Sequence, residues 1–567
     1  MNKGPSGASK EGTSDKEEKE MADIFGGYLV AKALKRQGVE CIFMLCGGHI
    51  TPIYMGCNEE GIRLVDVRHE QSAGYAADAW ARVTKKPGVA MVTAGPGVTN
   101  AVTAITNAHR AEVPMVVIGG RSPRKDFEKG SLQEMDHTEI LGPITKWARC
   151  IPSVDRIPDY VEIAFRKAAS GRPGPVFLEI PADILFEIVN ESEIVWPDKS
   201  ETQARPWGDP EQIREAARAL GDAKNPVVMG GSPLWWAGAA PLLRQFDETT
   251  RFPVFLNAMG RGALPPNHPY YFSYARRHAL TEADVVLTLG VPQDFRMRYG
   301  KAINPEATWI QAETDASLIG HNRNPQIGIL GDMWAVLQQL LDELGSRDEL
   351  PWITELRGVE EERSAEVREK CEHDGVPINH YRLIKEFNEI LDEDTIVIGD
   401  GGDIITLAGR IIRVHAHGHW MDPGPMGVLG VGLPFAMAAK AARPDKKVIV
   451  LNGDGAFGIT AMDFDTLVRF NLPVVLVIGN DAGWGQMRIP QLMLFGDDRS
   501  VGTDLSPTTR YDKLAESMGG YGERVTEPDQ IQPAILRALD SGKPAVVDVV
   551  LDPRGLVAEA NTRELAV

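Results

Sequence analysis

Two glycine-flanked carboxylates in residues 447–485 carry the clearest chemistry of this sequence. They are Asp454 in Gly453-Asp454-Gly455 and Asp481 in Asn480-Asp481-Ala482-Gly483. Each cluster closes an apolar strand, VIVLNG or VVLVIGN, and an amphipathic, helix-sized segment separates the two. In a right-handed βαβ unit both clusters emerge at the carboxyl edge of a parallel sheet, where such sheets bind ligands. Glycine lets backbone approach a diphosphate, and two oxygen side chains on one edge suit a hard Mg²⁺ ion.

Other polar residues occupy similar strand-end positions. Glu70 follows an apolar strand and opens a small-residue helix, where the helix dipole alone would favour an acid. Residues 93–100, TAGPGVTN, follow the strand VAMV as a tight turn that carries Pro96 and places Asn100 in a first helical turn. Cys46-Gly47-Gly48-His49 follows CIFML in the same way, which makes His49 a proton-transfer candidate. Residues 425–432, PMGVLGVG, read as a glycine-spaced apolar loop packed against the next helix. A second GDG lies at Gly399-Asp400-Gly401-Gly402-Asp403. One βαβ unit beyond it stand Gly427 and Val428 rather than a carboxylate or amide, so backbone contacts with the diphosphate are expected there instead of metal ligation.

The elements that must position these residues alternate helices with strands that are apolar throughout, the mark of parallel sheets covered on both faces. The expected fold class is α/β, with three successive doubly wound parallel-sheet domains at 21–195, 208–345 and 376–555. Residues 1–20 are expected to be a disordered tail and 556–567 a C-terminal tail. A chain of 567 residues is too long for one core. A net charge of −19 predicts no nucleic-acid partner and no anionic membrane surface. The five cysteines lack CxxC spacing and fit reduced thiols. With no signal-peptide core and no bilayer-length apolar run, the expected location is cytoplasmic.

The strand-end motifs together resemble the acetolactate-synthase-like superfamily of thiamine-diphosphate enzymes. GGHI, DPGPMGVLGVG and GNDAGWGQ are similar to the 2-hydroxyacyl-CoA lyases and their acetolactate-synthase-like branch. The resemblance implies pyrimidine-binding, central and diphosphate-binding domains in that order. It makes Glu70 of RHE the cofactor-activating acid, with His49 and Gln133 of LQE handling protons and orienting a carbonyl. His137 is the weaker candidate beside Gln133. Gly48, Pro96 and Asn100 would face the ring; Gly427 would offer a carbonyl and Leu429 would wedge the cofactor into a bend. Asp400, Gly401, Gly402, Asp403, Gly455, Ala456, Trp484 and Gly485 would line the diphosphate end.

The family usually carries Asn where this chain has Asp481, and Asn480 should point to the opposite strand face. Mg²⁺ is therefore assigned to Asp454, Asp481 and the Gly483 carbonyl. Expected substrates are an acyl-CoA or a 2-keto acid, and expected assemblies are a homodimer or homotetramer with interface active sites. In the central block Arg261, Arg296, Arg298 and Arg323 read equally well as phosphate partners and as solvated charges. That block would hold the adenylate of CoA in a lyase, or FAD in a synthase. No G-x-G-x-x-G opens a helix with an acid about 20 residues on, which excludes a Rossmann dehydrogenase. A non-catalytic relative on the same fold would have to dispense with Glu70.

Overall fold

The structure, a computed structural model, describes residues 23–198, 204–496 and 499–556. The tail expected at 1–20 and nearly all of that at 556–567 lie outside them. Three parallel sheets follow one another along the chain. The first runs, edge to edge, through Arg63–Asp66, Cys41–Met44, Gly88–Val92, Met115–Arg121, Pro175–Pro181 and Trp147–Cys150. The central sheet has the order Val254–Leu256, Pro226–Gly230, Val285–Leu289, Thr308–Glu313, Ile327–Leu330. The third has Trp420–Met421, Thr395–Asp400, Lys447–Gly453, Val475–Asn480, Ala545–Val550, Tyr521–Val525. Strands such as Gly88–Val92 and Val475–Asn480 are buried at every position, which is why their sequences do not alternate.

In each sheet the chain starts on an inner strand, moves outward, then returns to the other side of its first strand. The switch falls between Cys41–Met44 and Gly88–Val92, between Pro226–Gly230 and Val285–Leu289, and between Thr395–Asp400 and Lys447–Gly453. Loops leaving the carboxyl ends of two such strands diverge and open a crevice. His49 and the Gly95 turn leave the first switch point; Gly401 to Asp403 and Asp454 leave the third.

One core cluster joins the first and third sheets, running from Phe43 and Val92 to Ile398 and Val450. Helix Glu70–Thr84 lies on helix Gly432–Ala442, with Tyr75 edge-on to Phe435 at 6.3 Å. Arg82 is paired with Asp78 at 2.6 Å, lies over the Phe435 ring and donates to the Asp422 carbonyl. Trp235 of the central unit is held between Lys85 Nζ, 4.0 Å from its ring, and His417. Gly418, at φ 82°, leaves room for that indole. Among the described residues, all five cysteines are free and no helix is long and apolar enough to cross a membrane.

Candidate active site

At the first sheet's edge, Glu70 is the first residue of helix Glu70–Thr84, and His69 caps that helix by accepting from the Gln71 N–H. The Glu70 side chain is buried and accepts from Asn100 Nδ2 at 2.9 Å, so the structure brings these two candidates together. Pro96 is exposed and begins helix Pro96–Ala111 behind Gly95, whose φ of 59° and ψ of −115° suit glycine. The Gly95 N–H donates to His137 Nε2 at 2.8 Å, which leaves His137 Nδ1 to donate to Glu179 Oε1 at 2.6 Å. Arg121 closes this relay on the other Glu179 oxygen at 2.5 Å. His137, fully buried, is thus a packing and positioning residue. Gln133 stands in left-handed backbone, φ 60°, directly against Gly95. His49 Nδ1 lies 3.3 Å from Thr93 Oγ1. Burial, and then the neighbouring His137, lower the His49 pKa and keep the ring neutral near pH 7. Gly48 has open space where a side chain would stand.

At the third sheet's edge, the Asp400 carboxylate is fully buried and turned to the glycine loop, accepting from Gly430 N at 3.2 Å and Gly432 N at 2.8 Å. Burial pushes Asp400 up to about 7. Its side chain therefore fixes the Gly427 and Leu429 loop and leaves only backbone at that position for a ligand. Gly427, at φ 63°, has open space beyond its Cα. Asp454 opens helix Asp454–Thr460 and accepts from Gly455 N at 2.8 Å and Gly483 N at 3.2 Å. Trp484 lies against Gly455, so a Cβ there would overlap the indole. The turn after strand Val475–Asn480 is pinned by Trp484 N to Thr503 O at 2.7 Å and Leu505 N to Ala482 O at 2.8 Å. Asn480 donates to Asp548 Oδ1 on the neighbouring strand at 2.8 Å.

Two features of this edge escape the sequence reading. Asp403, assigned to backbone contacts, brings its carboxylate to Asp481: one ligand atom each from Asp403, Asp481 and His380 lie within 4.8 Å of one another. Arg488 donates from Nη2 to Asp481 Oδ2 at 2.9 Å and to the Asp481 carbonyl at 3.1 Å. The one legible signal is small: Gly483 and Gly485 are the positions where a Cβ would strike Arg488 and the Asp403 and Asp481 carboxylates. Burial, then the Asp454 and Asp403 charges, push Asp481 up to about 8, and Arg488 opposes this only in part. Burial raises Asp454 to about 6. Asp403 Oδ2 is buried without a hydrogen-bond partner. Carboxylates in excess of their counter-charge, buried at Asp454 and Asp481 and half-buried at Asp403, fit a hard divalent cation, with His380 beside them as a nitrogen donor.

Among the described residues, no hydrogen bond or ion pair joins Glu70, His49 or Gln133 to the Asp454–Asp481 edge. The first and third units are tied instead by Ser72 Oγ to Asp463 at 2.5 Å and Arg68 N to Asp463 at 2.7 Å. At the central switch point Gly231, Asn257, Gly290, Arg296 and Glu313 line a cavity. Of the four arginines considered there, two are structural. Arg261 is buried, stacks on Trp420 and donates to the Ile412 carbonyl; Arg323 donates to the carbonyls of Gly300, Ile303, Asn304 and Pro305. Arg296, paired with Asp294 at 2.6 Å, remains at the cavity wall.

Comparison with known proteins matches this sequence to one family. The N-terminal TPP binding domain of thiamine pyrophosphate enzymes matches residues 25–140, the central domain 213–340 and the C-terminal TPP binding domain 400–549. The chain is 41% identical over 532 residues to a probable acetolactate synthase of Mycobacterium bovis, covering 94% of this chain and 96% of that protein. It is 35% identical over 545 residues to 2-hydroxyacyl-CoA lyase 2 of Caenorhabditis elegans, covering 88% and 84%. To the human 2-hydroxyacyl-CoA lyase 2 it is 34% identical over 575 residues, covering 93% and 90%. The chain belongs to the thiamine-diphosphate-dependent enzymes of the acetolactate-synthase-like superfamily, in the branch that contains these synthases and 2-hydroxyacyl-CoA lyases.

Proposed function

We propose that this enzyme is a thiamine-diphosphate- and Mg²⁺-dependent C–C bond lyase that splits a 2-hydroxyacyl-CoA into formyl-CoA and an aldehyde or ketone. The observation that supports the metal-diphosphate site is the gathering of acids at the third switch point, where buried Asp481 lies beside buried His380 and half-buried Asp403 and feels the Asp454 charge. Asp454, Asp481 and the Gly483 carbonyl would hold the metal. The glycine-lined backbone at 401–402 and 455–456, together with Trp484 and Gly485, would hold the diphosphate, and Gly427 and Leu429 the ring. Thiamine diphosphate, when bound, supplies a nucleophilic carbon and an electron sink next to a carbonyl.

The chain's own residues supply the proton steps. Glu70, oriented by Asn100, would present its carboxyl to the cofactor ring as the proton-transfer group, with Pro96 and Gly48 bordering that end. His49, neutral near pH 7, accepts the substrate hydroxyl proton as the C1–C2 bond breaks and can return it to the formyl carbon. Gln133, fixed against Gly95, orients the thioester carbonyl. Glu70 and Asp454 belong to different sheets, and among the described residues no hydrogen bond or ion pair joins their sites, which supports a homodimer or homotetramer whose interface completes each site. The central cavity would take the adenylate of CoA. Five free thiols suit a cytoplasmic setting.

A second reading, acetolactate synthase, is favoured by the 41% identity to a protein of that name. In that case the substrate is a 2-keto acid and the central cavity holds FAD. The test is a parallel assay with thiamine diphosphate and Mg²⁺: one arm offers pyruvate and follows acetolactate, the other a short 2-hydroxyacyl-CoA and formyl-CoA. Formyl-CoA alone supports the lyase; acetolactate alone replaces it with the synthase.

A further inference from the structure

Among the described residues, Asp403 and Asp454 form no ion pair, and Asp481 pairs with Arg488. That pair is buried, with side-chain exposures of 9% for Arg488 and 8% for Asp481. The guanidinium reaches Asp481 across the space a side chain at Gly483 would fill. It also grips the Asp481 carbonyl, and helix Gly485–Phe495 fixes its stem through Arg488 N to Trp484 O at 2.8 Å. Asp504, 3.8 Å from Nη1, is largely exposed and adds little. The group nearest to Asp481 Oδ2 is therefore a fixed positive charge, on a carboxylate that must otherwise serve as a metal ligand.

We propose that Arg488 is a resident counter-ion that makes aspartate workable at position 481 by coupling metal uptake to cofactor uptake. The inference rests on the cofactor site proposed above. A lone divalent cation must compete with the guanidinium for Asp481 and is repelled by it. An anionic diphosphate has the opposite preference, because without Arg488 it would meet the three carboxylates Asp403, Asp454 and Asp481 with the guanidinium that pairs with Asp481 removed. Arg488 thus disfavours metal alone and favours the metal–diphosphate pair. Removing it should move the two affinities in opposite directions, whereas a purely structural arginine would weaken both.

The experiment is calorimetric titration of the whole protein, first with Mg²⁺ alone and then with thiamine diphosphate at saturating Mg²⁺. Arg488→Met should bind Mg²⁺ alone about tenfold more tightly and thiamine diphosphate about tenfold more weakly, within the usual range of coupling between ligands. In an Asp481→Asn background the same substitution should change each affinity less than about threefold. Arg488→Lys, which keeps the charge, should follow the wild type, and Arg488→Gln provides a second neutral variant should the methionine protein fail to fold. Affinities that fall together, stay unchanged, or shift equally with and without Asp481 overturn the proposal. Failure of the site itself reads differently: Asp454→Ala would then bind cofactor as well as wild type.

Discussion

The carboxyl edges of the first and third sheets share one topology and differ in how their buried polar groups are satisfied. At the first edge, Arg121, Glu179, His137 and the Gly95 N–H form a closed series of hydrogen bonds, and Asn100 meets Glu70. At the third edge, Asp403 Oδ2 and Asn452 Oδ1 are buried without partners, and one arginine serves three clustered acids. An unpaired buried polar group costs about 1–3 kcal/mol, and a charged one more. The first edge also leaves Arg121 Nε and Ser122 Oγ buried without partners, but its acids Glu70 and Glu179 are already matched by protein donors, so it sets geometry before any ligand arrives. The third is finished by what it binds. Damage to the first edge should appear in stability and catalysis, and damage to the third in ligand affinity.

The largest expected effect breaks the third edge. Asp454→Ala removes a carboxylate that Gly455 and Gly483 already orient. We expect thiamine diphosphate affinity to fall at least about 100-fold, as when one partner of a buried charged contact is lost. The melting temperature should change little, because relief of repulsion with Asp481 offsets loss of the Gly455 and Gly483 hydrogen bonds. A melting temperature that drops along with affinity would erase the contrast between the edges. Next is Glu70→Gln, which keeps the Asn100 contact sterically possible but alters the proton at the ring. Turnover should fall about 10²- to 10⁴-fold with cofactor affinity nearly intact, measured by steady-state assay and titration side by side. Equal losses in both quantities would return Glu70 to a helix-end acid.

Much of this contrast is legible in the sequence, for physical reasons that also mark where it stops. Asp454, Asp481 and the Gly95 turn end apolar strands, and strands apolar on both faces require a parallel sheet whose polar ends gather at one edge. The three-sheet fold follows from the same pattern. Arg488 is not legible in this way, because its contact depends on a guanidinium folding back over Gly483. Arg261 and Arg323 resemble phosphate ligands by type, yet each is taken up by backbone carbonyls. Arg261's partner, Ile412, is 151 positions away. Sequence spacing leaves no second carboxylate near Asp403 and so points to a backbone position; the sheet supplies Asp481 from a strand two places over.

His137→Ala breaks the first edge. It strands the buried Gly95 N–H and leaves the fully buried Glu179 with the partly buried Arg121 as its ion-pair partner among the described residues. A loss of about 2–4 kcal/mol is expected, with a fall of several degrees in melting temperature. Because Gly95 sits against Gln133, turnover should fall as well, while Mg²⁺ and cofactor affinity at the third edge stay near wild type. Affinity losses matching those of Asp454→Ala would mean the two edges are not separable.

The central sheet offers the finest test, because its edge strands a single acid. Glu313 ends strand Thr308–Glu313, lines the cavity and has one weak donor, Gln311 Nε2 at 3.3 Å. Burial pushes it from its ordinary 4.5 up to about 8, and the Glu112 charge adds to this. A carboxyl whose folded pKa is raised stays protonated in the native state while the unfolded chain has released its proton. Its stabilisation is complete below about 4.5 and is lost as pH rises toward about 8. The cost at neutral pH is on the order of 1–2 kcal/mol after relaxation around the cavity. Glu313→Gln, neutral at every pH, should melt like wild type at pH 5 and above it at pH 9, read from paired thermal scans. Parallel curves would mean that solvent or a cation in the cavity already compensates Glu313, and the central edge would then resemble the first sheet rather than the third.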